Sequence, residues 1–228
     1  RPLDSHKGTF GKLLVVAGSQ KYIGAAILAC NGAYRVGTGL VTLASPASIG
    51  AICAPAMVET THLPLPEPKD KDAPQRSARI VREALQNYDA LLVGCGLGQD
   101  QNIEAFIQAL LLNDPALETP MILDADALNI LAKKPLWWNQ LGHSTVVTPH
   151  PGEMARLVND STVQVQTSRL NIVKEASLKW RKVVTLKGAF SIVASPLGMT
   201  RLSPFANPAL ASAGTGDVLA GTIGGLLA

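Results

Sequence analysis

Short apolar runs, each closed by glycine, proline or a polar residue, recur along this chain. LLVVAG (13–18), LVTLAS (40–45), ALLVG (90–94), MILDA (121–125), STVVTP (144–149), VVTLKG (183–188) and SIVAS (191–195) have the length and β-branched content of strands covered on both faces. Between them lie helical patterns. GAAILACNGAYRVG (24–37) is rich in small residues and suits close packing on a sheet, while 73–87, 102–113 and 167–182 read as amphipathic. Strand and helix alternate often enough to predict an α/β fold: a mostly parallel central sheet with helices on both faces. LKGAFSIVAS departs from this rhythm, because two strands separated by a few residues predict a hairpin. PLPEPKDKDAP (64–74) has four prolines and mixed charge and reads as a solvated loop.

No domain boundary or repeat interrupts the pattern, so a single domain over 1–228 is expected. Composition narrows the partners. A net charge of +3 and 4% aromatic residues argue against nucleic acid and a membrane surface. No apolar run approaches the roughly 20 residues of a membrane span, and the scattered Cys30, Cys53 and Cys95 fit packed thiols in a reducing compartment. A cytoplasmic location follows as the expectation.

In open α/β sheets ligands bind beyond the carboxyl ends of the strands, so the motifs of interest should follow strands. VGCGLGQD (93–100) has Gly94, Gly96 and Gly98 where the backbone could approach a ligand; a ligand-free tight turn, or an imperfect dinucleotide fingerprint, fits as well. LDADALN (123–129) sets Asp124, Asp126 and Asn129 at a strand end. There the acids either cap the next helix or bind Mg²⁺ through water or a ligand's hydroxyls. TPHPGE (148–153) fixes His150 between two prolines, which favours a ligand-facing role, and puts Glu153 in a first helical turn. Finally, ASAGTGDVLAG bares amides at Gly214 and Gly216 at a helix start, an anion hole suited to a phosphoryl group. Asp217 within it could accept a proton from an attacking hydroxyl, as a weak base because the helix dipole stabilises its carboxylate; helix capping is the alternative, but it does not explain the glycines on both sides of Thr215.

Taken together, HKGTFGKLLVVAGS, GAAILA, VGCGLGQ, LDADALN, TPHPGE, VTLKGAFSIVA and NPALASAGTGDVLAG resemble the ADP/ATP-dependent NAD(P)H-hydrate dehydratase family of the ribokinase-like superfamily. The resemblance implies repair of NADHX or NADPHX: a nucleotide phosphorylates the ring hydroxyl and phosphate then leaves. ADP is the expected donor, giving AMP and phosphate, with ATP the alternative; Mg²⁺ accompanies the nucleotide, and its protein ligands are not assigned. Residue by residue, it implies Asp217 as the catalytic carboxylate. Ala26, Gly98, His150 and Asn129 are implied around the substrate. Lys187, Gly188, Ala189, Phe190 and Ser191, with Gly214, Thr215 and Gly216, are implied around the nucleotide. Ser191 stands where the family often has Thr. Family domains continue past the GTGD helix, so the chain reads as a fragment lacking C-terminal helices. The resemblance also implies homotetramers and an NAD(P)HX epimerase as functional partner, possibly as an upstream domain. A ribokinase-like kinase of a small alcohol, such as a thiamin precursor, is the first alternative, and a dinucleotide-binding oxidoreductase or nucleotide sensor the second.

Overall fold

The computed structural model describes residues 3–68, 70–113 and 116–228. Its centre is one nine-stranded sheet in the order β3-β2-β1-β4-β5-β6-β7-β8-β9. The strands are β1 (Lys12–Val16), β2 (Leu40–Pro46), β3 (Thr61–Leu65), β4 (Ala90–Val93), β5 (Met121–Leu123), β6 (Thr145–Val147), β7 (Val183–Leu186), β8 (Ile192–Ala194) and β9 (Thr200–Leu202). Strands β1 to β7 pair in parallel. The last three form an antiparallel meander, with the anticipated hairpin between β7 and β8. Two strands escape the apolar pattern. β3 and β9 are the sheet's edges and are mostly exposed or half-buried, so neither carries a continuous apolar run.

Period-2 alternation divides the sheet into two cores. Leu14, Val16, Leu91, Val93, Leu123, Val147 and Val184 face one side. They are covered by α3 (Ala73–Ala84), α4 (Gln101–Leu111), α5 (Ala125–Leu131), α6 (Pro151–Val158) and α8 (Arg169–Trp180). Leu13, Val15, Val41, Leu43, Leu92 and Ile122 face the other side. There the cover is α1 (Ile23–Arg35), α2 (Ala47–Cys53) and α9 (Thr215–Leu227).

The small residues of α1 and α9 let their backbones nearly touch. A Cβ on Gly221 would stand 1.9 Å from the Ala29 carbonyl oxygen, and one on Gly32 would stand 2.5 Å from that of Val218. This seam fixes α9 across β4 and β5 and so fixes where its N-terminus points. Two expectations need correction. The loop 64–74 begins with the last two residues of β3 and ends in the first turn of α3; Lys69 lies outside the described residues. The pattern at 167–182 forms α8, which follows α7 (Thr162–Thr167) after a break at Ser168. The GTGD segment does not directly follow a strand but a 3-10 turn at Pro208–Leu210.

Candidate active site

The order 2-1-4-5 places a change of winding direction between β1 and β4. Loops from β4, β5, β6 and β7 converge beyond the carboxyl ends of those strands, and the N-terminus of α9 enters from the side. The β4 loop turns on three glycines with positive φ, at 132° for Gly94, 64° for Gly96 and 86° for Gly98. A Cβ on Gly94 would lie 1.8 Å from the Asp124 carbonyl oxygen, so only glycine lets the β4 and β5 loops pass this closely.

Ala125 has φ 48°, in the left-handed region, and this splits its neighbours. Asp126 turns to the β4 loop, where Oδ2 accepts from the Gly98 amide at 2.8 Å and Oδ1 from Gln99 Nε2 at 2.8 Å. Asp124, 1% exposed, turns the other way and forms an ion pair with Lys187 from the end of β7. Neither carboxylate caps α5. The capping reading fails because each acid has a stronger partner: a cation for one and the glycine loop for the other.

Lys187 is the hub. Besides Asp124, its ammonium lies 3.8 Å from Glu153 Oε2. Burial would lower its pKa, but Asp124 and Glu153 outweigh this and raise it, so the side chain stays charged. It is no solvated surface lysine: 16% of its side chain is exposed. Glu153 is itself pushed up by burial, against the pull of Lys187.

His150 and Glu153 form a reciprocal cap at the start of α6. The imidazole Nδ1 accepts from the Gly152 and Glu153 amides at 3.0 and 3.4 Å, and the His150 amide donates to Glu153 Oε2 at 2.8 Å. With Nδ1 an acceptor, the proton sits on Nε2. Burial, Lys187 and Arg156 all lower the His150 pKa, so the ring is neutral near pH 7 and half-exposed. His150 therefore combines a structural cap with a half-exposed ring whose Nε2 lies 3.4 Å from Glu153 Oε1.

At α9, Gly214 takes φ 88° and starts the helix. The amides of Thr215, Gly216 and Asp217 meet no acceptor among the described residues, as a helix start requires. The Thr215 hydroxyl is committed elsewhere, donating to the carbonyls of Leu210 and Ser212. A Cβ on Gly216 would lie 3.4 Å from Lys187 Nζ and 4.0 Å from Asp124 Oδ2, so the free amides and the lysine adjoin. Asp217, half-buried beside them, has a raised pKa. Burial is the main cause and Asp124 adds to it; a hydrogen bond with Cys95 and the charge of Lys187 act in the opposite direction. This reverses the expectation of a weak base, because desolvation of the carboxylate outweighs the helix dipole.

Cys95, read as a packed thiol, is fully buried, yet it also contacts the Asp217 carboxylate from below. Its place between two glycines of a strand-end loop was the available signal. Ala26 is fully buried in α1 beneath Gly18, and Asn129 turns to α6, where its Oδ1 accepts from Arg156 Nε at 2.9 Å. Gly98 lines a separate cleft of about 520 Å³ with Gly18, Ser19, Tyr22, Ser45 and Asp126. The fold thus gathers His150, Lys187, Gly216 and Asp217 around Asp124, with Gly98 on the far side of Asp126.

The loop 187–191 lies beside this cluster. The Lys187 amide donates to the Pro149 carbonyl at 2.9 Å, and the Ser191 hydroxyl to the Gly188 carbonyl at 2.9 Å. The amides of Gly188 and Ala189 meet no acceptor among the described residues. Free amides from a glycine loop and a helix start thus lie beside one half-buried lysine, the kind of surroundings that suit an anion.

This architecture defines an α/β protein, a mostly parallel sheet with helices on both faces and a cluster of charged side chains and open amides beyond its strand ends. The model of the NAD(P)H-hydrate dehydratase family matches residues 13–228, and the chain belongs to that family. It is 38% identical over 226 residues to the bifunctional NAD(P)H-hydrate repair enzyme of Moorella thermoacetica, covering 99% of this chain and 42% of that protein. The chain thus spans about two fifths of the length of such bifunctional relatives. It is 34% identical over 227 residues to the ADP-dependent (S)-NAD(P)H-hydrate dehydratase of Bacillus subtilis, covering 100% of this chain and 76% of that one. A crystal structure of the ADP/ATP-dependent NAD(P)H-hydrate dehydratase from the same organism, co-crystallised with ATP and Mg²⁺, superposes with a TM-score of 0.81. It is 34% identical, with 100% of this chain and 76% of that chain covered. Among the described residues no helix is long and apolar enough to cross a membrane.

Proposed function

We propose that this chain forms one dehydratase domain that returns NADHX and NADPHX to NADH and NADPH, with ADP as phosphoryl donor. The observation that carries this reading is the meeting of Asp217, the open amides of α9 and Lys187 at one point. Phosphoryl transfer needs little from a protein beyond positioning and charge stabilisation, and these groups supply both. Asp217, with its raised pKa, takes the proton of the ring hydroxyl as the hydroxyl oxygen bonds to the terminal phosphorus of ADP. The bond from that phosphorus to the bridging oxygen breaks and AMP leaves. The amides of Thr215 and Gly216 and the ammonium of Lys187 hold the charge on the transferring group. Phosphate then departs from the ring carbon as the neighbouring carbon gives up a proton, restoring the double bond.

The amides of Gly188 and Ala189 and the Ser191 hydroxyl serve the rest of the nucleotide. Gly214 sets the start of α9, and Gly98 and the Nε2 edge of His150 meet the substrate. Ala26 and Asn129 act through their neighbours, since one is enclosed and the other is bonded to Arg156. Magnesium fits as a companion of the phosphates. Among the described residues no three carboxylate, histidine or cysteine groups form a cage, so the ion would be held chiefly by the phosphates, with Asp124 and Glu153 the carboxylates that would accept from its waters. When bound, it neutralises phosphate charge. The epimerase that interconverts the hydrate's epimers is the functional partner, as the bifunctional relatives suggest.

The test supplies protein bearing this domain with NADHX and either ADP or ATP. Recovery of near-ultraviolet nicotinamide absorbance with ADP, matched by AMP and phosphate, is the expected result. No recovery from folded protein that binds nucleotide would overturn the reading in favour of a small-alcohol kinase.

A further inference from the structure

Phe190 combines three features that do not belong together in a residue serving only the fold. It has φ 54°, a conformation disfavoured for a bulky side chain. It is 50% exposed, in a protein with four phenylalanines of which one, Phe106, lies in the core. It also occupies the tip of the loop 187–191, next to amides left open for phosphate.

The strained conformation is held from several directions. The Phe190 amide donates to the Phe205 carbonyl at 3.3 Å, and the Phe190 carbonyl accepts from Arg169 Nη2 at 3.4 Å. The Ser203 amide donates to the Ser191 carbonyl at 2.8 Å. Arg169 also packs beneath Gly188, where a Cβ would lie 3.0 Å from its Nη1. Phe205, brought alongside by that first bond, is 80% exposed. Among the described residues neither ring stacks on another aromatic or under a cation. Backbone strain enforced by its surroundings, at a residue that stays half-exposed, points to a functional position.

We infer that Phe190 is the stacking platform for the base of the phosphoryl-donor nucleotide, with Phe205 as the second wall, and that this pair sets a preference for purines. The inference rests on the nucleotide reading above and adds what holds the base. The open amides of the same loop fix the phosphates, and a phenyl face beside them is the complementary surface for a flat, weakly hydrated ring. Stacking on an aromatic side chain tolerates any base but grows with its area, so a purine diphosphate binds more tightly than a pyrimidine diphosphate.

The test titrates ADP, CDP and inorganic pyrophosphate, by calorimetry on the full chain, into the parent and into Phe190→Gly, Phe190→Asn and Phe190→Tyr. Glycine and asparagine accept positive φ, so both keep the loop's backbone while removing the ring. The expected result is an ADP affinity about tenfold weaker in those two variants. Pyrophosphate affinity stays unchanged, the ADP-over-CDP preference is lost, and Phe190→Tyr stays within twofold of the parent. Phe190→Gly should melt no lower than the parent. ADP affinity within twofold of the parent in both ringless variants would overturn the inference and leave the nucleotide reading intact. Equal weakening of ADP and pyrophosphate would also overturn it, by showing that the loop and not the ring had changed. A parent chain that binds neither ADP nor ATP would overturn the nucleotide reading and this inference with it, before any variant is compared.

Discussion

The two halves of α9 use glycine for opposite purposes. In the C-terminal half, glycine removes bulk so that helices can touch. A Cβ on Gly221 would lie 1.9 Å from a backbone oxygen of α1, and one on Gly225 would lie 2.3 Å from the Thr38 hydroxyl. In the N-terminal half it leaves room around charge: the nearest atom to a Cβ on Gly216 is the Lys187 ammonium, at 3.4 Å. One helix therefore carries a packing seam with no room for a Cβ and, nearer its start, the proposed reaction floor, where a Cβ would meet a charged side chain instead of backbone. The difference shows that glycine density alone does not mark a ligand site. What separates the two halves is whether the space a Cβ would enter holds backbone or charged side chains.

Substituting one half and then the other tests this contrast most strongly. Gly221→Ala has no room in the seam, and the expected cost is about 3 kcal/mol, read as a fall in melting temperature with activity lost only as folded protein is lost. Next in size is Asp124→Asn, which deprives Lys187 of its closest partner. Breaking a buried ion pair costs roughly 3 kcal/mol, lowered here because Glu153 remains within 3.8 Å. Denaturant titration reads the stability loss, and the nucleotide KM should rise as the ammonium leaves its place. Gly216→Ala should melt within about 1 kcal/mol of the parent while weakening turnover roughly tenfold, as a methyl group crowds the amides that hold the transferring group.

The smallest effect belongs to Cys95→Ala. The thiol's hydrogen bond lowers the Asp217 pKa, so its removal raises that pKa further. Turnover needs the carboxylate ionised and is lost as pH falls through its pKa. The acid limb of the kcat profile should therefore move to higher pH, with turnover about threefold lower on that limb.

Strands buried on both faces announced themselves in the sequence, because a two-sided core leaves an unbroken apolar run. The edges did not: THLPL and the Thr200–Leu202 strand mix polar and exposed residues, and their pairing comes from the neighbouring strand rather than their own pattern. At the site, the glycine turns and the GTGD start of α9 were legible because they are local. The Asp124–Lys187 pair joins residues 63 apart in sequence, and only the strand order brings them together. The raised pKa of Asp217 was hidden for the same reason. The dipole of its own helix can be read locally, whereas the burial that overrides it comes from loops of other strands.

The central claim, that the first turn of α9 performs the chemistry while the rest of the helix holds it in place, is tested most directly with Asp217→Asn. Nucleotide affinity, melting temperature and NADHX-dependent phosphate release should be measured on the same preparation. The predicted result is melting and nucleotide binding close to the parent, with phosphate release lowered by about 10²–10⁴-fold. Phosphate release within a factor of three of the parent would contradict the account.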